Sequence, residues 1–491
     1  MHFAVLRDGN PAGNKVLREL RDKAITHGGD AVNEDTLNSA AQEQNTRPSY
    51  DGTVQSPSLS GEVKLTVDTD GLLIDSLFDQ AAVSYADMTK IACQDFTVKI
   101  GSLLGDMTVS RMGQQAEWFY RELLEAYHRK VLQTLLTGGK SDFETEAQYA
   151  FDGCGEKATI RVFKDCLCLL PPNTSARRLP FVFLKGLKKE ANTLSLTLAT
   201  EERFVFSMLG HDLDPLEKQI TEHIRRQGEN NTAFIQKLVP SLGFSECAKA
   251  ARLLPEGIAV STEQLRKVSP SLAAVLEKKI RNSKMSETYG LLKDLCNAEQ
   301  LAVGIKALSD EETEALKAAL LEKLNENAEE TAELTSEQED ALRWILWAAI
   351  PSADGKTAVV EFAFPNEDAA TYVFRINGTF NTFLPILNRA LEATKLQREI
   401  LSLSDDELKK EQYADYRMAV DRTPSLQEIR KVFVGRVIHR SADSWKKAVL
   451  KYTEQPHDDE NNNFIKQKFC TNCGAQLSGS AKFCGECGTK V

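Results

Sequence analysis

Between residues 58 and 228 the apolar positions come in short alternating bursts, and the order of those bursts occurs twice. The first series runs "VKLTVDTDGLLIDSLFDQAAVSYADMTKIACQDFTVKI" and then "DMTVSRMGQQAEWFYRELLEAYHRK"; the second runs "ATIRVFKDCLCLLPPNTSARRLPFVFLKGLKKEANTLSLTL" and then "RFVFSMLGHDLDPLEKQITEHIRR". Laid side by side, residues 72–74 meet 167–169, 83–85 meet 179–181, 96–100 meet 194–198 and 107–113 meet 204–210. A period of two bounded by polar turns predicts antiparallel strands. Each series closes on a stretch with helical spacing, 117–130 and 216–226, whose apolar stripe covers the open end of a small core.

Elsewhere the pattern changes. Residues 1–57 are polar and turn-rich and predict weak structure, with one short helical stretch at 15–25. Residues 230–334 predict helices; "SDEETEALKAALLEKL" opens on a capping box from Ser309 to Glu312, and Ser336 with Glu339 repeats the arrangement. Residues 335–453 predict a third α+β unit with a helical extension. In it "ATYVFRINGTFNTFLPILNRALEA" sets Tyr372, Phe374 and Gly378 where Phe204, Phe206 and Gly210 stand, and the pattern leaves open whether this is a third copy. Ser404 with Glu407 caps one further helix, and Thr423 with Pro424 at the first helical position begins another. Residues 454–467 are a polar linker to the tail at 468–491.

The predicted fold class is therefore multidomain α+β: two small antiparallel units at 58–138 and 143–228, each closed by a helix, a helical middle and a distinct tail. A series of short strands followed by one C-terminal helix, occurring twice, resembles tandem domains of the pleckstrin-homology-like superfold. That resemblance rests on element order and on the internal repeat.

Composition narrows the class. A chain of 491 residues makes several domains, and 42% hydrophobic with 27% charged residues is ordinary for a globular protein. A formal net charge of −11 argues against coating nucleic acid or anionic membrane with the whole surface. No stretch reaches the ~20 consecutive apolar residues of a membrane span. The apolar run in "MHFAVLRDGNPAGNKVLREL" is too short for a signal peptide, so the expected compartment is the cytoplasm. Six of the 10 cysteines (Cys93, Cys154, Cys166, Cys168, Cys247, Cys296) lie scattered among apolar residues and read as small buried hydrophobes.

The other four carry the strongest chemical signal. Cys470, Cys473, Cys484 and Cys487 have the spacing C-x2-C-x10-C-x2-C, within "KFCTNCGAQLSGSAKFCGECGTKV". Two residues between cysteines let a tight turn bring both thiolates to one ion, and zinc takes four such ligands tetrahedrally at ~2.3 Å. Gly474 and Gly488 follow the pairs, where positive φ lets backbone N–H groups point at sulfur. The alternative of two disulfides or free thiols runs against a cytosolic setting and the doubled knuckle. The segment resembles the zinc-ribbon family, in which four such cysteines are the metal ligands. Four thiolates leave no open position for water, so the expected ion is a single structural zinc, contributing on the order of 10 kcal/mol to a segment with little apolar mass.

Other motifs fail on inspection. "TGGKS" at 137–141 lacks the leading glycine of a phosphate loop, since Thr134 stands there, and a helix precedes it. "TVDTDG" at 66–71 has Leu77 where a calcium loop needs glutamate, and reads as a hairpin turn. The 7 histidines form no pair at ligand spacing; His211 reads as a solvated loop residue, and His128, His223 and His439 as exposed or capping residues on helices. Arg177, Arg178, Lys185, Lys188 and Lys189 concentrate positive charge in the second unit. The plain reading is a mixed surface; the sharper one is an anion-binding face for phosphate or lipid headgroups. The expectation is a non-enzymatic adaptor that binds another macromolecule, a protein first, with anionic lipid or nucleic acid as alternatives and an enzyme with an unrecognised cleft as the remaining one.

Overall fold

The computed structural model describes residues 48–77, 79–325, 333–365, 367–397, 399–439, 441–453, 468–469 and 476–477. The expectations for residues 1–47 and for the linker at 454–467 fall outside them. The described chain divides into two compact units: one holds the residues up to Ile224 together with Asp406–Pro424, and the other holds Arg225–Asp405 and the residues from Ser425 onward.

In the first of these, β1 (Ser49–Gln55), β2 (Ser60–Val67), β3 (Gly71–Ser76), β4 (Gln80–Ser84), β5 (Met88–Gln94), β6 (Thr97–Ser102) and β7 (Met107–Ser110) form one antiparallel sheet in the order β4-β3-β2-β1-β7-β6-β5. Its two edge strands, β4 and β5, are consecutive in sequence and joined by residues 85–87 alone. Laid flat, seven strands would hold those edges about 29 Å apart. Four peptide steps reach at most ~14 Å, so the sheet must curl, and its inner face becomes a core. Helix α1 (Gln115–Thr134) supplies Ala116, Phe119, Leu123, Tyr127 and Val131 to that core from a single face. Phe119, Leu123 and Val131 are each worth about 1.5–3 kcal/mol of burial.

The second sheet has the same order. It comprises β8 (Phe143–Phe151), β9 (Cys154–Val162), β10 (Cys166–Leu170), β11 (Arg177–Pro180), β12 (Leu184–Glu190), β13 (Thr193–Leu198) and β14 (Arg203–Ser207), arranged β11-β10-β9-β8-β14-β13-β12. Again the consecutive strands β11 and β12 are the edges, joined by the 3-10 turn Phe181–Phe183. Helix α2 (Leu213–Leu238) places Leu216 and Ile220 in this second core. The turns into the two helices share a conformation. Arg111 (φ 61) and Gly113 (φ 56) flank buried Met112, as Met208 (φ 59) and Gly210 (φ 55) flank buried Leu209. A left-handed step, an inward apolar residue and a left-handed glycine turn each chain from strand to helix at least steric cost.

Strand β1 corrects the expected boundary at residue 58. It pairs with both β2 and β7, from Ser49 opposite Thr66 to Gln55 opposite Thr108. Its Gly52 and flanking polar residues mimic a loop, yet a Cβ at Gly52 would lie 3.1 Å from the Met112 Cγ. Glycine lets the turn residue pack closely on the strand. The segment "TVDTDG" is a hairpin turn, with the Asp68 N–H donating to the Gly71 carbonyl at 2.9 Å.

Strand β10 is buried on both faces. Leu167 and Leu169 join the second core, while Cys166, Cys168 and Leu170 join the first. The connection after β10 is held by backbone pairing of Ile91 N–H to the Pro172 carbonyl at 2.8 Å, and by the Tyr127 hydroxyl donating to the Asn173 carbonyl at 3.0 Å.

The other compact unit carries a third sheet of different order. Helices α3 (Phe244–Leu253), α4 (Thr262–Val268), α5 (Pro270–Arg281) and α6 (Ser286–Leu295) surround β15 (Val260–Ser261) and lead into β16 (Ala302–Ala307). Helices α7 (Asp310–Asn325) and α8 (Ser336–Ala341) then lead to β17 (Trp344–Pro351), β18 (Thr357–Ala363) and β19 (Ala370–Arg375). After α9 (Phe380–Ala393), α10 (Ala414–Asp421) and α11 (Pro424–Val432), β20 (Phe433–Ile438) completes a six-stranded sheet in plain sequential order, and α12 (Ala442–Thr453) follows. A strand does lead into a helix after Tyr372 and Phe374, but among the described residues no seventh strand returns to pair with the first.

The region 230–334 is thus not purely helical. A short apolar run such as "AVGIKA" does not distinguish strand from buried helix by periodicity alone. Partner packing decides: a Cβ at Gly304 would fall 2.1 Å from the Trp347 ring opposite it. The third unit also draws strands from before residue 335, and Asp406–Pro424, expected within it, groups with the two seven-stranded sheets. The capping box at Ser309 and Glu312 is present, whereas the next one uses Thr335 and Gln338, one residue before the expected pair.

His128 departs from the expected exposed role: it lies on the inner face of α1, buried, with its Nε2 3.3 Å from the Pro171 carbonyl. Burial pushes its pKa down from 6.5 to about 4. The unfolded chain therefore takes up this proton before the folded one does, so the associated stability is full above pH 6.5 and falls away as the pH drops toward 4. The loss should be about 3 kcal/mol across that window, read from urea melts at pH 7 and pH 4.5, and should be missing in His128→Gln.

Candidate functional site

The tail is built on a minimal hairpin. Strands β21 (Lys468–Phe469) and β22 (Gln476–Leu477) pair antiparallel, with Lys468 opposite Leu477 and Phe469 opposite Gln476. Those pairs bracket residues 470–475, the segment that carries Cys470 and Cys473. Cys470, Cys473, Cys484 and Cys487 themselves lie outside the described residues. The donor set fits zinc: four thiols in two C-x-x-C pairs, the first on a connection whose flanking residues are hydrogen-bonded to each other. Those four side chains would hold the ion, and a bound zinc would act as a structural tie.

The five cations of the second sheet are mostly committed to partners. Arg178 is buried, and its guanidinium donates to the Asp165 carboxylate at 2.6 Å. Lys185 reaches Glu201 at 2.6 Å, Lys188 reaches Glu190 at 2.7 Å, and Lys189 bridges Asp214 at 2.9 Å and Glu217 at 2.6 Å. Arg177 donates to the Ala176 carbonyl at 2.8 Å and lies 6.0 Å from the centre of the Phe151 ring. Positive charge crowded in sequence is thus spread over several acids, Glu190 on the same strand and Asp165, Glu201, Asp214 and Glu217 further away along the chain.

The most concentrated polar chemistry among the described residues was invisible as a motif. Glu361, in the middle of β18, is fully buried. Its carboxylate lies 2.9 Å from the His439 Nε2 and accepts from the Thr371 hydroxyl at 2.5 Å and from the Thr288 hydroxyl at 3.3 Å. The Trp445 indole N–H donates to the same Thr371 oxygen at 2.6 Å. His439 follows β20 rather than lying on a helix, as expected from sequence. The one legible signal was an acid inside the otherwise apolar run "TAVVEFA". The carboxylate is met by groups from three other segments, which is how a buried acid is kept satisfied.

The remaining histidines and cysteines differ in burial. His223 is buried on α2, with its Nε2 3.2 Å from the Asp142 carboxylate, while His211 is exposed as expected. Cys166 and Cys168 are fully buried with their sulfurs 4.0 Å apart, and Cys247 is buried too, in line with their reading as small hydrophobes. Among the described residues no three His, Cys, Asp or Glu side chains are grouped to hold a metal ion. Among the same residues no helix is long and apolar enough to cross a membrane.

Comparison with known proteins adds one finding. No curated protein matches the chain. Residues 469–491 match the model of the zinc-ribbon domain, so the C-terminal segment resembles that family, a likeness that suggests a zinc-binding module.

Proposed function

We propose that this chain is a non-enzymatic, cytoplasmic adaptor: two pleckstrin-homology-like units and a third α+β unit form its body, and a zinc ribbon binds another macromolecule, a protein first. The observation that carries this reading is the zinc-ribbon match at residues 469–491, in a tail set apart by "HDDENNN". One zinc is held by Cys470, Cys473, Cys484 and Cys487. The shared strand order of the two sheets, each with a helix after its seventh strand, supports the pleckstrin-homology-like assignment. The ion pairs of Lys185, Lys188 and Lys189 weigh against an anionic-lipid face. The donors surrounding Glu361 favour a structural carboxylate over a catalytic one.

Metal analysis of the purified protein should find about one zinc per chain, lost in Cys470→Ser. Full retention in that variant, or no metal in the parent, would overturn the ligand assignment. A chelator should strip the ion while moving the thermal midpoint of the body by no more than a few degrees, because the ribbon's stability comes from its metal. The adaptor role is tested by cross-linking capture with the parent chain and with Cys470→Ser. The expected result is a protein captured in stoichiometric amount by the parent and lost with the zinc. Capture that is unchanged in the variant would move the binding function off the ribbon. Nucleic acid recovered instead, with affinity falling steeply as salt rises, would replace the protein partner, with Lys466, Lys468, Lys482 and Lys490 as the phosphate contacts.

A further inference from the structure

Helix α10 reaches the two-sheet unit from elsewhere in the chain. Residues Asp406–Pro424 belong with that unit, while the residues on either side, through Asp405 and from Ser425, belong to the other. At eight residues α10 is too short to be stable alone in water, so its helical form depends on docking.

The docking surface is the side of α1 and the corner between β4 and β5. One side chain enters it deeply: Met418 is fully buried within the first core, with Ala414 half-buried beside it. Polar anchors surround that plug. Asp415 pairs with Lys130 at 2.8 Å, and Lys130 also holds Asp70 at 2.8 Å. The Arg417 guanidinium donates to Asp87 at 2.5 Å. Arg422 donates to the Tyr127 hydroxyl at 2.6 Å and to the Met418 carbonyl at 3.1 Å.

Two features distinguish this contact from a core. Its composition, one apolar anchor ringed by charge pairs, is that of an interface whose partners also exist apart. Arg422 is also buried at 2% exposure with no carboxylate within ion-pair distance among the described residues, and its Nε has no hydrogen-bond partner. A hydroxyl, a helix-end carbonyl and the Tyr127 ring at 5.7 Å compensate a buried cation only in part. The docked state therefore carries a cost that an exchangeable contact tolerates and an obligate core avoids.

We propose that the α1 surface bounded by Asp87, Tyr127 and Lys130 is a docking site for a short helix that presents one apolar residue between two arginines, that α10 fills it in cis, and that a partner helix of the same pattern displaces α10. The site is independent of the zinc ribbon, so it can fail or hold whatever the tail binds.

Hydrogen exchange on the intact chain tests the displaceable plug directly. The amides of Ala414–Asp421 should exchange at least about tenfold faster than those of α1 between Leu123 and Val131, because α10 opens without unfolding the sheet. Equal protection in the two helices would show α10 to be part of the core and overturn the proposal. A labelled peptide of residues 411–424, titrated onto the full chain, tests the surface. Binding should tighten by about tenfold or more in Arg417→Glu, which weakens the plug but leaves Asp87 and Lys130 in place. A scrambled peptide should not bind, and Asp87→Arg should abolish binding of the native sequence. Peptide affinity that is the same for the parent and Arg417→Glu, or insensitive to Asp87→Arg, would remove the docking site.

Discussion

The geometry of the first two sheets follows from a length constraint. In each, the strands that form the two edges are neighbours in sequence, tied by residues 85–87 in one and Phe181–Phe183 in the other. A flat seven-stranded sheet cannot satisfy so short a tie, so each sheet curls and its inward side chains must fill the enclosed space. Val54, Leu65, Ile91, Ile100 and Val109 do so in the first, and Ile160, Leu169, Leu196, Phe204 and Phe206 in the second. Curling leaves an end open, and a helix entered through a left-handed glycine, Gly113 or Gly210, closes it. The glycine, the helix phase and the apolar stripe are therefore consequences of one tie between edges.

Packing the curled sheets together sets the chemistry of what lies between them. Strand β10 faces two cores at once, so every side chain of "CLCLL" is buried. Its small thiols meet α1 where larger residues would hold the sheets apart. The same closeness strips His128 of water and lowers its pKa, and it brings Tyr127 to the Asn173 carbonyl. Tyr127 in turn accepts from Arg422, so a single hydroxyl joins α1, the second sheet and the returning segment. Charge in this unit is used internally: Arg161 holds Glu125 and Glu144, Lys130 holds Asp70 and Asp415, and the cations of β11 and β12 hold nearby acids. Such pairs add specificity of packing more than stability.

The six-stranded sheet solves a different problem. Its central strands are buried on both faces, with helices α4, α5 and α6 on one side and α9 on the other. A strand enclosed that way has no solvent face for a polar residue, and Glu361 is tolerated because Thr288, Thr371 and His439 reach it from α6, β19 and the end of β20. Removing any one donor would leave a buried carboxylate short of partners, which ties the helices around this sheet to its strands.

Local pattern alone carried much of this protein. The alternation of "TVKIGS" and "TLSLTL", the glycine before each closing helix, the capping box at Ser309 and the four-cysteine spacing each report on neighbours within a few residues, and sequence writes such relations directly. What it did not carry depends on residues far apart. Strand β1 looked like a loop because its glycine is explained only by distant residues, Met112 and β7, and β16 looked helical because its glycine is explained only by Trp347. The basic cluster read as a mixed surface or an anion-binding face, and spacing could not choose because three of its acids, Glu201, Asp214 and Glu217, stand more than a strand away. His128 and His223 looked exposed because helical spacing does not say what the opposite face meets. The tertiary structure decided these points, since burial, pairing and the docking of α10 are set by which distant surfaces the curled sheets bring together, and no period along the chain encodes that.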